Sequence, residues 1–258
     1  MFRTFSQLIL AAALAMASEL PRADLHVHTD SEGGSGPKEL APAEVTALSQ
    51  KLGVKFGVLA EGGCAGEIHD DATLAAFLDK FQGQPVYRGL QVYGFEWRKC
   101  LSKDNLARLD YIAADALIFP DRGRNVMLWL DGVRFDDAQD FMERYVAFNE
   151  KVLAQPIQVW ANPTYLPESM KSRYDELWTP ERMKRLIGAA VKNHVAIELN
   201  TKFRIPSPAF VRAAKAAGAK FTFGSNGHIK GIGDISYGLE IAKECGLTGS
   251  DFLTLRSR

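Results

Sequence analysis

The chain has 258 residues, 47% of them hydrophobic and 10% aromatic, which suits one large globular domain and excludes a disordered chain. Lysine plus arginine equals aspartate plus glutamate at 31 each, so there is no basic excess to follow a phosphate backbone, and no nucleic-acid partner is expected. Cys64, Cys100 and Cys245 lack zinc-knuckle spacing and do not resemble a disulfide framework, and their odd number leaves at least one thiol unpaired within the chain.

Residues 1–17 read as a signal peptide. Arg3 precedes an apolar run over 8–17, and Ala15-Met16-Ala17 has the small-x-small form of a cleavage site. The run is shorter than the roughly 20 apolar residues that span a bilayer, and no other stretch reads as transmembrane. An exported protein, periplasmic or secreted, is therefore expected; a helix closing the bottom of the fold is the other reading of this segment. No lipobox cysteine follows, which argues against a lipid anchor there.

From residue 18 to 258 a single domain is expected. Short β-rich runs at 23–28, 55–60, 86–96, 111–119, 157–161, 195–200 and 220–224 alternate with helical patterns at 42–52, 71–81, 136–153, 180–193 and 207–217. Thr179-Pro180 and Ser207-Pro208 each set a capping hydroxyl before a first-turn proline, and Gly53 and Gly218 sit where helices should stop. Seven strands separated by crossover segments, with no repeat and no linker, point to an α/β barrel of TIM-like form rather than an open doubly wound sheet. No glycine-rich phosphate or dinucleotide loop follows a strand. In such a barrel the chemistry belongs at the C-terminal ends of the strands.

Strand one ends in Asp24-Leu25-His26-Val27-His28-Thr29. Alternate residues of a strand share a face, so His26 and His28 point together, with Asp24 on the same face, and two imidazoles so placed can chelate a divalent metal. Glu96 follows the apolar run of strand three, where a carboxylate needs a metal or a salt bridge. His228, in the glycine-flanked turn after strand seven, is either a further nitrogen ligand or an ordinary loop histidine. Lys202 and Arg204 follow strand six, placed to hold an anionic substrate. Asn162 in the Asn162-Pro163-Thr164 turn either presents an amide to the site or shapes the loop, and Asp115 is a further candidate ligand. His69 and Asp70 read as solvated loop residues, and the charged helix around Arg182, Lys184 and Arg185 reads as a solvated face.

The order Asp24-Leu25-His26-x-His28-Thr29, Gly94-x-Glu96, Glu198-x-Asn200 and Gly224-Ser225-x-x-His228 resembles the polymerase-and-histidinol-phosphatase (PHP) superfamily over the whole mature chain. The resemblance implies a distorted (β/α)7 barrel with up to three metal ions that hydrolyses phosphoesters, the metals neutralising charge that develops at phosphorus. Several family positions differ here. The further histidine of the first motif is absent from Asp30-Ser31-Glu32-Gly33-Gly34, and the Thr-Asp-His of strand two reads Ala60-Glu61-Gly62. The fifth-strand His-Pro is Asn162-Pro163, and the terminal Ser-Asp-x-His is Ser225-Asn226-Gly227-His228. Carried over residue by residue, the resemblance makes His26, His28, Glu96, Asn226 and His228 the metal residues and Glu61 the candidate base. One or two zinc or manganese ions and a small anionic substrate, a phosphoester above all, are then expected. The lost ligands equally suit an exported barrel that binds a ligand without turning it over.

Overall fold

Helices and strands alternate as the periodicity requires, and the computed structural model describes them over residues 19–30 and 39–255. The expected signal peptide lies outside the described residues. The main sheet contains β1 (Ala23–His28), β2 (Lys55–Gly62), β3 (Tyr87–Val92), β4 (Tyr111–Ala114), β7 (Val159–Trp160), β8 (Ala196–Asn200), β9 (Phe221–Gly224) and β10 (Gly227–His228). Its order is β10-β1-β2-β3-β4-β7-β8-β9, and every pair in it is parallel. β5 (Ile118–Asp121) and β6 (Arg124–Met127) form a separate antiparallel hairpin.

β9 and β10 act as one kinked strand. β9 pairs with β8, the chain bends at Ser225-Asn226, and β10 then pairs with β1, which curls the sheet towards a barrel of seven principal strands. Asn226 makes the bend with φ 50°, a left-handed conformation that asparagine tolerates better than most residues.

Helices α1 (Pro42–Leu52), α2 (Asp71–Lys80), α3 (Ala138–Leu153), α4 (Pro180–Lys192), α5 (Pro208–Ala216) and α6 (Ser236–Glu244) cover the outside. Thr179 accepts from the Arg182 N–H and Ser207 from the Phe210 N–H, the caps the sequence implies. Along β8, Ile197 and Leu199 enter the core shared with helix residues such as Phe141, Leu186 and Phe210. A second cluster, Leu25, Leu59, Tyr111, Ala113, Val159 and Ala161, fills the barrel interior. Tyr111 needs glycine beneath it: a Cβ at Gly57 or Gly89 would lie 2.5 Å or 2.4 Å from its ring or hydroxyl.

Four details differ from the sequence expectation. β3 stops at Val92, so Glu96 lies beyond the strand on a 3-10 turn. The run 111–119 splits into β4 and the hairpin, whose Arg122-Gly123 turn takes positive φ at both residues. Cys64 and Cys100 form a disulfide with Cα atoms 5.5 Å apart, joining the loops after β2 and β3, while Cys245 is free and buried. Arg182 is not solvated: it is buried between helices, bonded to Glu143 at 2.9 Å and to the Leu177 carbonyl at 2.8 Å.

Candidate metal centre

Parallel pairing of β1 with β10 puts His28 opposite His228. Neighbouring strands run roughly 4.8 Å apart, and the two imidazoles stack with centroids 4.3 Å apart and planes 9° apart. Asp30, just past the end of β1, brings a carboxylate oxygen 3.4 Å from His228 Nδ1. Ligand atoms of His28, Asp30 and His228 all lie within 4.8 Å of one another.

His26 stands behind this trio, its ring 5.2 Å from that of His28. Its Nδ1 lies 2.6 Å from Glu198 Oε1, with both side chains almost fully buried at 2% and 1% exposure. Among the described residues its buried Nε2 has no hydrogen-bond partner, while the buried His228 Nδ1 meets the Asp30 carboxylate at 3.4 Å without hydrogen-bond geometry. Glu198 Oε2 accepts from the Asn162 N–H at 2.6 Å and from Asn200 Nδ2 at 3.1 Å. Asn162 Oδ1 in turn accepts from Asn200 at 3.0 Å and Asn226 at 3.1 Å. Gly224 leaves room for the Glu198 carboxylate, since a Cβ there would lie 1.8 Å from Oε1.

Two further carboxylates are locked into structure. A register shift between Asp24 and Val27 interrupts the simple alternation of β1. Asp24 accepts from the backbone N–H groups of His26 at 3.1 Å, Ser225 at 2.9 Å and Gly233 at 2.9 Å. Asp115 accepts from Gln91 Nε2 at 2.9 Å, Asn162 Nδ2 at 2.8 Å and the Leu117 N–H at 3.0 Å. Burial outweighs these donors and pushes both carboxyls up to about 6.

The two histidines of β1 are pushed in opposite directions. Burial works against the His26 cation, but Glu198, with Asp115 and Asp24 behind it, overrides burial and raises the His26 pKa. Burial, together with neighbouring His26 and His228, holds His28 well below the ordinary histidine range. At neutral pH His28 therefore keeps a free lone pair.

Of the residues singled out in the sequence, His26, His28, His228, Asn162 and Asn226 come together here. Glu96 does not: its side chain is 66% exposed and paired with Lys99. Glu61, at the end of β2, is exposed and accepts from the Tyr93 hydroxyl at 3.3 Å. Lys202 lies close enough for its charge to help depress His28. Arg204 pairs with Glu240 at 3.0 Å and stacks 4.7 Å over Tyr237. Sequence reasoning left Asp30 and Glu198 out of the ligand set. Asp30 lies just past the His-x-His pair, and Glu198 stands in the Glu-x-Asn pattern.

The donor set fits a divalent cation. Imidazole and carboxylate are the ligands zinc and its neighbours take, and the buried Nε2 of His26 has no hydrogen-bond partner among the described residues. A His26 Nδ1–H that donates to Glu198 leaves the lone pair of the neutral ring on Nε2, the tautomer a metal-ligating histidine keeps when a carboxylate backs it. Lone pairs lie in the ring plane, and the nearly parallel planes of His28 and His228 meet far from both rings. One ring must turn for both to grip a single ion.

No protein-family profile matches the sequence, and no curated protein is similar to it at the sequence level. Among solved structures, histidinol phosphate phosphatase from Lactococcus lactis subsp. lactis Il1403, determined with zinc, L-histidinol and phosphate, has 14% identity and a TM-score of 0.57. The match covers 93% of this chain and 100% of that one. An archaeal fructose-1,6-bisphosphate aldolase is also similar, at 13% identity and a TM-score of 0.41, over 91% of this chain and 85% of that one. The phosphatase match shows the fold: this chain is a single α/β domain whose parallel sheet curls into a TIM-like barrel, as in that enzyme.

Proposed function

We propose that the chain is a divergent PHP-type metal-dependent hydrolase acting on a small phosphoester or other anionic substrate. The observation that carries this reading is the convergence of His28, Asp30 and His228 at the strand ends, beside the unpartnered Nε2 of His26. A divalent cation held there would supply Lewis acidity, polarising a phosphoryl oxygen and making water more acidic. His28, His228 and Asp30 would hold it, with His26 behind them as a further nitrogen. Glu198 fixes the His26 tautomer through the 2.6 Å contact. The Asn226 amide, held by Asn162, sits at the position of the family carboxylate and brings no charge. Lys202 favours an anion at the mouth, and Glu61, tied to Tyr93, is the candidate base.

The Cys64–Cys100 bond supports an oxidising compartment and so the exported location, because such bonds are rare in reducing cytosol. A second reading, a binding barrel without turnover, draws on the interlocked amides of Asn162, Asn200 and Asn226, which close on one another without charge.

Elemental analysis of protein purified without chelator, beside the His28→Ala/His228→Ala variant, tests the choice. About one metal per chain, lost in the variant, supports the hydrolase and licenses a phosphoester screen. No metal in either protein after exposure to zinc and manganese leaves the non-catalytic binding barrel.

A further inference from the structure

The loops that leave the polar network at the ends of β7 and β8 run on to form a second feature. Asn162 leads to Tyr165, and Asn200 accepts the Phe203 N–H at 2.9 Å on Oδ1. Between these loops and α6 lies a cavity of about 310 Å3 whose lining includes Tyr165, Tyr174, Phe203, Tyr237, Lys171 and Arg204. That volume falls at the lower end of the roughly 300–1,000 Å3 typical of small-molecule sites.

The walls are aromatic and fixed. The Tyr165 and Phe203 rings meet edge to face at 4.7 Å, and the Tyr174 hydroxyl is held against Thr164 Oγ1 at 2.5 Å. Burial pushes the Tyr165 and Tyr174 phenols up to about 12, so both stay neutral. Among the described residues no carboxylate lines the cavity, whereas two cations, Lys171 and Arg204, do. Their counter-ions, Glu240 for Arg204 and Glu168 for Lys171, approach from outside the lining. Exposed pairs of this kind are worth about 0–1 kcal/mol, so an incoming anion can replace them at little cost. Arg204 also holds φ at 53°, a left-handed conformation that a long side chain adopts only when its surroundings impose it.

We propose that this cavity binds an aromatic anion, a planar ring against Tyr165 and Phe203 whose anionic group reaches Arg204 and Lys171. The proposal stands apart from the hydrolase reading: the cavity lining includes none of His28, Asp30 and His228, and the binding requires no metal. A ring face suits aromatic walls better than an alkyl chain does, and a planar guanidinium pairs two oxygens of one anionic group at once.

The test is calorimetric titration of the chelator-treated protein with phenylphosphonate, whose carbon–phosphorus bond a phosphoesterase does not cleave. Methylphosphonate, which lacks the ring, and benzylamine, which reverses the charge, are the comparison ligands. Saturable phenylphosphonate binding is expected, at least tenfold tighter than either comparison ligand. It should weaken at least fivefold in Arg204→Gln and in Phe203→Ala and persist in His28→Ala/His228→Ala. Should Phe203→Ala fail to fold, Arg204→Gln, a change at an exposed side chain, still decides the matter. Absence of saturation, equal binding by the Arg204 variant, or loss confined to the histidine variant would each overturn the proposal. Metal content reads the hydrolase separately, so either reading can fail without the other.

Discussion

His26 and Glu198 are 172 positions apart in sequence and 2.6 Å apart in the barrel. One carboxylate thereby serves three strands: Oε1 orients the imidazole of β1, while Oε2 holds the Asn162 N–H after β7 and the Asn200 amide of β8. Removing it in Glu198→Ala strands several buried donors at once and should cost about 3–5 kcal/mol, read by urea denaturation. Glu198→Gln keeps the volume and part of the bonding but loses the charge behind His26. It should fold, with zinc affinity reduced by about 10–100-fold in competition with a chromophoric chelator. Unchanged affinity would mean that His26 has no part in the metal centre.

Gly224 tests the same carboxylate from the neighbouring strand. A methyl group there cannot coexist with Glu198 Oε1 in its present place. Gly224→Ala should displace the carboxylate from His26, destabilise the fold by about 1–3 kcal/mol and lower metal content in parallel. Gly188 is the control, because it is exposed on α4 with nothing within 4 Å of an added Cβ. Gly188→Ala should stabilise by about 0.5–1 kcal/mol. Melting curves of both variants beside the wild type check the pair.

Asp115 gives a pH signature. Burial raises its folded pKa to about 6 from an ordinary value of 3.8. The native state therefore holds this proton more tightly than the unfolded chain between those two values. The resulting stability is fully present below the unfolded pKa and is lost as pH rises through the folded one. Asp24 is raised in the same way but is present in both proteins, so it cancels in a comparison with Asp115→Asn. Wild-type stability relative to Asp115→Asn should fall from pH 4 to pH 6 and then level off. A constant difference in urea melts across that window would show that Asp115 ionises at its ordinary value.

Periodic segments were legible in the sequence, and residues governed by long-range packing were not. β1 and α1 have the bounds their patterns imply, because a helix or strand with one buried face states its period locally. The apolar run that spells β3 continues through Gly94-Phe95, but Gly94 takes φ 63° and turns the chain away. Glu96 therefore leaves the strand and pairs with Lys99 in solvent, where the local pattern implies a buried ligand. His26, His28 and His228 could be gathered from their places at strand ends. Asp30 could not, because its role depends on the parallel register that brings β10 beside β1. Nor could the Cys64–Cys100 bond: 36 positions separate the two, and only the β2–β3 pairing brings their loops together.

That bond carries the last prediction. It links the loop that follows Glu61 to the turn that follows Glu96, on the side of the mouth where Tyr93 meets Glu61. Closing a loop of 36 residues restricts the unfolded chain, a stabilisation of about 3–4 kcal/mol on the chain-entropy account. Cys64→Ser/Cys100→Ser should lose up to about that amount, and the wild type in reducing agent should lose a similar share. Thiol titration of the denatured, unreduced protein should find one reactive thiol, Cys245, because the other two cysteines are bonded. Finding all three cysteines reactive in protein recovered from an oxidising compartment would contradict the pairing and, with it, the support it gives to export.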